Sequence, residues 1–153
     1  LTQKFKKSFD YLSADIDPRF AMVAMDITDI KFPDETFDVI ICNHVLEHIP
    51  DDRKAMAELF RVLKTGGWAS LQVPMRGEIT YEDPTITSPE DRQKAFGQDD
   101  HVRWYGSDYY QRLREIGFDI RIYKKNDFFG EEDNKRYSLS TEEELVIAGK
   151  PSS

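Results

Sequence analysis

The stretch from Phe32 to Gly67, FPDETFDVIICNHVLEHIPDDRKAMAELFRVLKTGG, constrains the fold more than any other part of the chain. Phe37 to Cys42 is a short apolar run with β-branched Val39, Ile40 and Ile41, the pattern of a strand buried on both faces of a parallel sheet. Pro50-Asp51-Asp52 marks a helix start, with carboxylates placed at the positive end of the helix dipole. From Arg53 onward, Met56, Leu59, Phe60 and Leu63 recur at three- and four-residue spacing, which predicts an amphipathic helix. Gly66-Gly67 reads as its C-cap, and Trp68 to Val73 (WASLQV) as the next strand. Strand, helix and strand in this order make a βαβ unit, and a βαβ unit implies a parallel α/β sheet.

Two segments, FPDETFDVIICNHVLEHIPD and AELFRVLKTGGWASLQVP, resemble the class I S-adenosylmethionine (SAM) dependent methyltransferases, of the type 11-like kind. In that family a Phe-Asp pair opens the fourth strand, "LEH" follows it, and "RVLK-x-GG" leads into the fifth. The resemblance implies a Rossmann-like, doubly wound, mostly parallel sheet with an antiparallel C-terminal hairpin. It also implies SAM as cofactor and methyl transfer to an oxygen, nitrogen or carbon nucleophile of a small molecule. The alternative is a non-catalytic binding or scaffold domain on the same fold.

The totals agree with a single domain. The chain has 153 residues, enough for one core. Its net charge of −8 and isoelectric point near 4.9 lack the footprint of a nucleic-acid binder. One cysteine, Cys42, excludes an internal disulfide framework and fits a reducing compartment. No run approaches the ~20 apolar residues of a membrane helix, so the expectation is a cytoplasmic protein with no membrane partner. Residues 1–150 form the expected domain, 74–106 an insertion within it, and 151–153 a tail.

The resemblance assigns cofactor contacts along the early strands. Leu12 to Asp15 is a short strand, and the family places an acidic residue at its end against the ribose hydroxyls. A carboxylate suits a vicinal diol because it accepts two hydrogen bonds. Asp15 matches by position, with Ile16 beside it and Asp17 in reserve; Asp17 also reads as the start of a turn before Pro18. Met22 to Met25 is the next strand, after which Asp26 would accept from the adenine amine and Ile27 would pack on the ring. Asn43 and His44 follow the C-terminal edge of Phe37 to Cys42, where ligands bind in doubly wound sheets. Glu47 and His48 match the "LEH" pair, whose histidine is structural in the family. Two histidines four residues apart could suggest zinc, but no Cys or third ligand accompanies His44 and His48, so no metal is expected.

Pro74 to Gly106 is too long and too aromatic for a simple connection. Within it Ser88 and Pro89 predict a short helix. The span Asp99-Asp100-His101-Val102-Arg103-Trp104-Tyr105 concentrates acid, base, cation and aromatics at the expected mouth of the site. His101 is the candidate general base, because an imidazole titrates near neutrality. Arg103 and Tyr105 are candidate acceptor-binding groups, Arg103 suiting a carboxylate or phosphate. The competing reading is a polar surface loop held by its aromatics. Beyond it, Ser107 predicts a helix cap, Leu113 and Ile116 a helix ending at Gly117, Phe118 to Tyr123 a strand, Asp127 to Ser140 a charged loop, and Glu144 to Gly149 the last strand.

The family's first strand and glycine-rich loop have no match here; LTQKFKKSFDY already reads as a helix end feeding a strand. The expectation is a domain incomplete at its N-terminus, as a fragment of a longer protein or by loss of the element. In the family that strand lies between Leu12 to Asp15 and Phe37 to Cys42. An open gap orphans backbone groups at about 1–3 kcal/mol each. Three remedies are therefore expected: an upstream segment fills the slot, a partner chain donates a strand, or the two strands pair directly.

Overall fold

A computed structural model describes residues 8–124 and 144–152. In chain order its elements are β1 (Ala14–Asp15), β2 (Val23–Ala24), β3 (Phe37–Ile41), α1 (Asp52–Val62), β4 (Leu63–Ser70), β5 (Tyr81–Glu82), α2 (Pro89–Phe96), β6 (Arg103–Trp104), α3 (Tyr109–Ile116), β7 (Asp119–Lys124) and β8 (Glu144–Gly149). A single 3₁₀ turn, Leu46–His48, follows β3. The expected charged loop Asp127 to Ser140 lies outside the described residues, as do residues 1–7.

β3, β4, β8 and β7 form one sheet in that order. β3 and β4 run parallel, as the βαβ pattern requires, while β8 inserts antiparallel between β4 and β7. The C-terminal hairpin thus lies at one sheet edge. β1 and β2 pair in parallel as a separate two-stranded sheet, Asp15 opposite Ala24.

Helix α1 begins where its sequence signal lies. The Asp51 carboxylate caps it by accepting from the Lys54 amide at 3.0 Å, satisfying one of the donors a helix start leaves bare. Its apolar stripe, Ala55, Met56, Leu59 and Val62, is buried and meets α3 and the sheet in the main core with Leu46, Leu71, Tyr109, Leu113 and Val146.

Its end corrects the expectation for Gly66-Gly67. The helix stops at Val62, and Leu63 is already extended, paired with Phe37 and fully buried. Burial of Leu63 against the sheet outweighs its helical spacing. The register then slips: from Phe37 to Val39 on β3, the partners on β4 jump from Leu63 to Trp68. Gly66 takes φ +78° within this bulge, and a Cβ on Gly67 would lie 2.7 Å from the Asp38 carbonyl oxygen. The glycine pair therefore makes a bulge and a close strand approach, not a helix cap.

The insertion 74–106 is packed. β5 and β6 pair antiparallel, and Met75 bridges Tyr105. Ser88 caps α2 by accepting from the Asp91 amide at 3.1 Å, and Gly97 closes it in the left-handed conformation. The cap of α3 is Asp108 rather than Ser107; its carboxylate accepts from the Thr80 amide at 2.8 Å and hydroxyl at 2.7 Å. It ties the helix start to the insertion.

β1 and β3 do not pair with each other, so direct closure of the slot is not the remedy this chain adopts. Among the described residues each leaves one edge without a strand partner. Apolar side chains there face outward: Val39 and Ile41 on β3, and Ile16, Phe20 and Met22 around β1 and β2.

Candidate functional site

The C-terminal ends of the parallel strands carry the predicted ligand residues. Asp15 and Asp26 leave the adjacent strands β1 and β2, joined by the Met25 amide donating to the Asp15 carbonyl at 2.9 Å. Oδ1 of Asp15 accepts from the Asp17 amide, and Oδ1 of Asp26 from the amide and hydroxyl of Thr28, both at 2.8 Å. The backbone bond from Thr28 comes first among the causes that hold the Asp26 carboxyl below its ordinary value. Asp17 turns both oxygens onto the exposed Arg19 guanidinium. Ile16 is exposed, whereas Ile27 is half-buried against the core.

At the end of β3, Asn43 Oδ1 accepts from Ser70 Oγ at 2.9 Å and from the Gln72 amide at 3.1 Å. It fixes the strand exit to β4. His44 is exposed and adopts φ +56°, a conformation for which histidine is enriched among non-glycine residues. Cys42 is buried; burial, followed by the Glu47 charge, pushes its thiol up to about 12, so it packs rather than reacts.

The 3₁₀ turn then brings together groups far apart in sequence. Glu47 is 1% exposed and His101 is 2% exposed. The His48 and His101 rings meet edge to face with centroids 4.6 Å apart, and the Val102 amide donates to the Glu47 carbonyl at 2.9 Å. His48 Nδ1 lies 3.3 Å from Asp100 Oδ2, and His44 Nδ1 lies 3.6 Å from Glu47 Oε1. Burial, reinforced by His48, pulls the His101 pKa down. His101 thus faces the turn beyond β3 from inside the protein, not from an open mouth.

Arg103 and Tyr105 correct the expectation of acceptor binding. Arg103 is 3% exposed and donates to the carbonyls of Leu46 (2.9 Å), Ile49 (2.5 Å) and Pro50 (2.9 Å), as well as to Glu82 Oε2 at 2.9 Å. Tyr105 is fully buried and donates its hydroxyl to Asp52 Oδ2 at 2.7 Å. Burial, then the Asp52 charge, raises its phenol well above the ordinary range. Arg112 completes the cluster, reaching Asp52 at 3.1 Å and Glu82 at 3.0 Å. Arg103 serves the Ile49 and Pro50 carbonyls at the end of the 3₁₀ turn and shares the Leu46 carbonyl with the Ile49 amide, and a guanidinium fork suits several acceptors at once.

This network carries a pH dependence. Burial alone would raise the Glu82 carboxyl, but its hydrogen bonds to Arg112 and Arg103 outweigh that and hold it below its ordinary value. A depressed folded pKa contributes stability that is present above the unfolded pKa of ~4.3 and is lost as pH falls through the folded value. Thermal melts from pH 7 downward should therefore show a shallower acid loss in Glu82→Gln than in the parent. Parallel slopes would contradict it.

Comparison with known proteins places this geometry. A family model described as a methyltransferase domain matches residues 3–71. That segment is similar to the methyltransferase-domain family. The rice 2-methyl-6-phytyl-1,4-hydroquinone methyltransferase 1 is 29% identical over 102 residues, covering 60% of this chain and 31% of the relative. The chain thus spans less than half the length of that relative. The crystal structure of YcgJ from Bacillus subtilis superposes over 99% of this chain and 87% of its own, with TM-score 0.60 and 15% identity. Haemonchus contortus phosphoethanolamine N-methyltransferase 2, solved with SAM, superposes over 99% of this chain and 46% of its own, with TM-score 0.61 and 14% identity. The methyltransferase-like chain therefore has the Rossmann-like fold of the class I SAM-dependent methyltransferases. No helix among the described residues is long and apolar enough to cross a membrane.

Proposed function

We propose that the chain is the SAM-binding and catalytic part of a methyltransferase acting on a small molecule. The observation that carries this reading is the pair of carboxylates, Asp15 and Asp26, at the C-terminal ends of adjacent parallel strands, where a doubly wound sheet takes its ligand. The residues fit SAM. Their described side-chain hydrogen bonds use Oδ1, so Oδ2 of Asp15 suits a ribose hydroxyl and Oδ2 of Asp26 an adenine amine. Ile16 supplies exposed apolar surface and Ile27 a half-buried side chain for the base. Asp17, turned onto Arg19, is the poorer candidate for the ribose. Asn43 braces the exit of β3, and His44 presents its imidazole from that exit. The slot between β1 and β3 accepts a further strand, from a preceding segment of the polypeptide or a partner chain; their open edges and outward apolar side chains support it. Residues 1–150, with the packed insertion 74–106, act as one domain.

When bound, SAM supplies an activated methyl group on a sulfonium. The chain's own work is then to bind, align donor and acceptor, and exclude water. A small-molecule acceptor such as a hydroquinone agrees with the rice relative, and the net charge of −8 speaks against a nucleic-acid acceptor.

Calorimetric titration with S-adenosylhomocysteine tests the reading. Asp26→Ala should weaken binding by about 1–3 kcal/mol, the cost of a lost charge-assisted hydrogen bond. Unchanged affinity would remove Asp26 from the site. Absence of binding by the entire gene product would favour the non-catalytic scaffold.

A further inference from the structure

We propose that Glu47, His48 and His101 form a binding site for a divalent transition-metal ion of the zinc class. One ligand atom from each lies within 4.8 Å of the others, so some point lies within about 2.8 Å of all three, against ~2.0–2.2 Å in a formed zinc site. Side-chain movements of under an ångström close that difference. Sequence spacing hides the set, because His101 comes from the insertion, 53 residues beyond His48.

Two independent observations point to a ligand. Glu47 Oε2 and His101 Nδ1 are buried polar atoms without a hydrogen-bond partner. Both belong to side chains that are almost wholly buried, and both residues are members of the cluster. A buried carboxylate oxygen lacking a donor is costly, and such exceptions call for an explanation. One cation satisfies both atoms together. The outer arrangement also fits: Asp100, 3.3 Å from His48 Nδ1, is the second carboxylate that metal-bound histidines commonly carry, fixing the ring and leaving the other nitrogen for the ion.

Two imidazoles and a carboxylate suit zinc, iron(II), cobalt(II) or nickel(II) rather than magnesium or calcium. Three protein ligands leave a coordination position open. Exposed His44, beside Glu47 and following β3, marks the side from which water or a ligand oxygen or nitrogen would reach it. That the ion holds a methyl acceptor rests on the methyl-transfer reading; the site itself does not.

The test is titration of chelator-treated, dialysed protein with cobalt(II) chloride. One cobalt per chain should bind, with visible d–d absorption, displacement by zinc chloride and a raised melting temperature. Glu47→Gln and His101→Gln should abolish the bands. Asp100→Asn, at a site 63% exposed on its side chain and so without consequence for folding, should weaken cobalt binding about tenfold or more. Absence of cobalt bands and of thermal stabilisation in the parent protein would overturn the site, as would full-affinity binding by a folded Glu47→Gln. Protein that binds S-adenosylhomocysteine but no cobalt would overturn the metal site and leave the methyl-transfer reading standing.

Discussion

Replacing Arg103 by Met should lower stability by about 3–5 kcal/mol, the usual cost of removing one partner of a buried ion pair. A domain has only about 5–15 kcal/mol in total, so the variant approaches the unfolding threshold at growth temperature. The reason is specific. Arg103 serves three carbonyls around the turn at Leu46–Pro50 and the Glu82 carboxylate, and it packs over the Tyr105 ring with 5.5 Å to the centroid. Met retains the packing and drops every hydrogen bond. Chemical denaturation checks the value. A variant of unchanged stability would return Arg103 to the role of a ligand-facing cation.

Phe96→Ala should cost about 3–5 kcal/mol as well, the scale for emptying a fully buried phenylalanine site. Phe96 closes helix α2 and lies near Tyr81, with ring centroids 5.7 Å apart, outside the main core cluster. At ~2–4 °C per kcal/mol for a domain of this size, the melting temperature should fall by about 10 °C in a single cooperative transition. A separate low-temperature step, with the main transition unmoved, would show that the insertion folds apart from the sheet.

The fold was readable where local patterns and tertiary demands agree. β3, α1 and β7–β8 follow from an apolar run, an amphipathic stripe and alternation, and the Asp51, Ser88 and Gly117 boundaries from cap chemistry. Gly66-Gly67 misled because a helix C-cap and a strand bulge both need glycine; only the partner strand, through the Asp38 carbonyl, decides which is built. Ser107 misled for a similar reason: the adjacent Asp108 is drawn to Thr80, a contact 28 residues away.

The placement of the candidate residues was half legible. Asp15, Asp26 and Asn43 sit at strand ends because position within a βα unit is a local property. Arg103 and Tyr105 read as ligand groups in the sequence because a polar run in a long insertion resembles an active-site loop. Nothing local shows that their partners are Asp52 and the Leu46–Pro50 carbonyls. The meeting of Glu47, His48 and His101 escaped for the same reason, since a cluster assembled across 54 residues of chain leaves no spacing signal.

Photo-crosslinking with methyl-labelled SAM, followed by peptide mapping, tests whether the ends of β1, β2 and β3 hold the cofactor. Label is expected on peptides carrying Asp15 to Ile27 or Asn43 and His44, suppressed by excess S-adenosylhomocysteine. Label that S-adenosylhomocysteine does not displace, or label confined to peptides away from the ends of β1, β2 and β3, would contradict it.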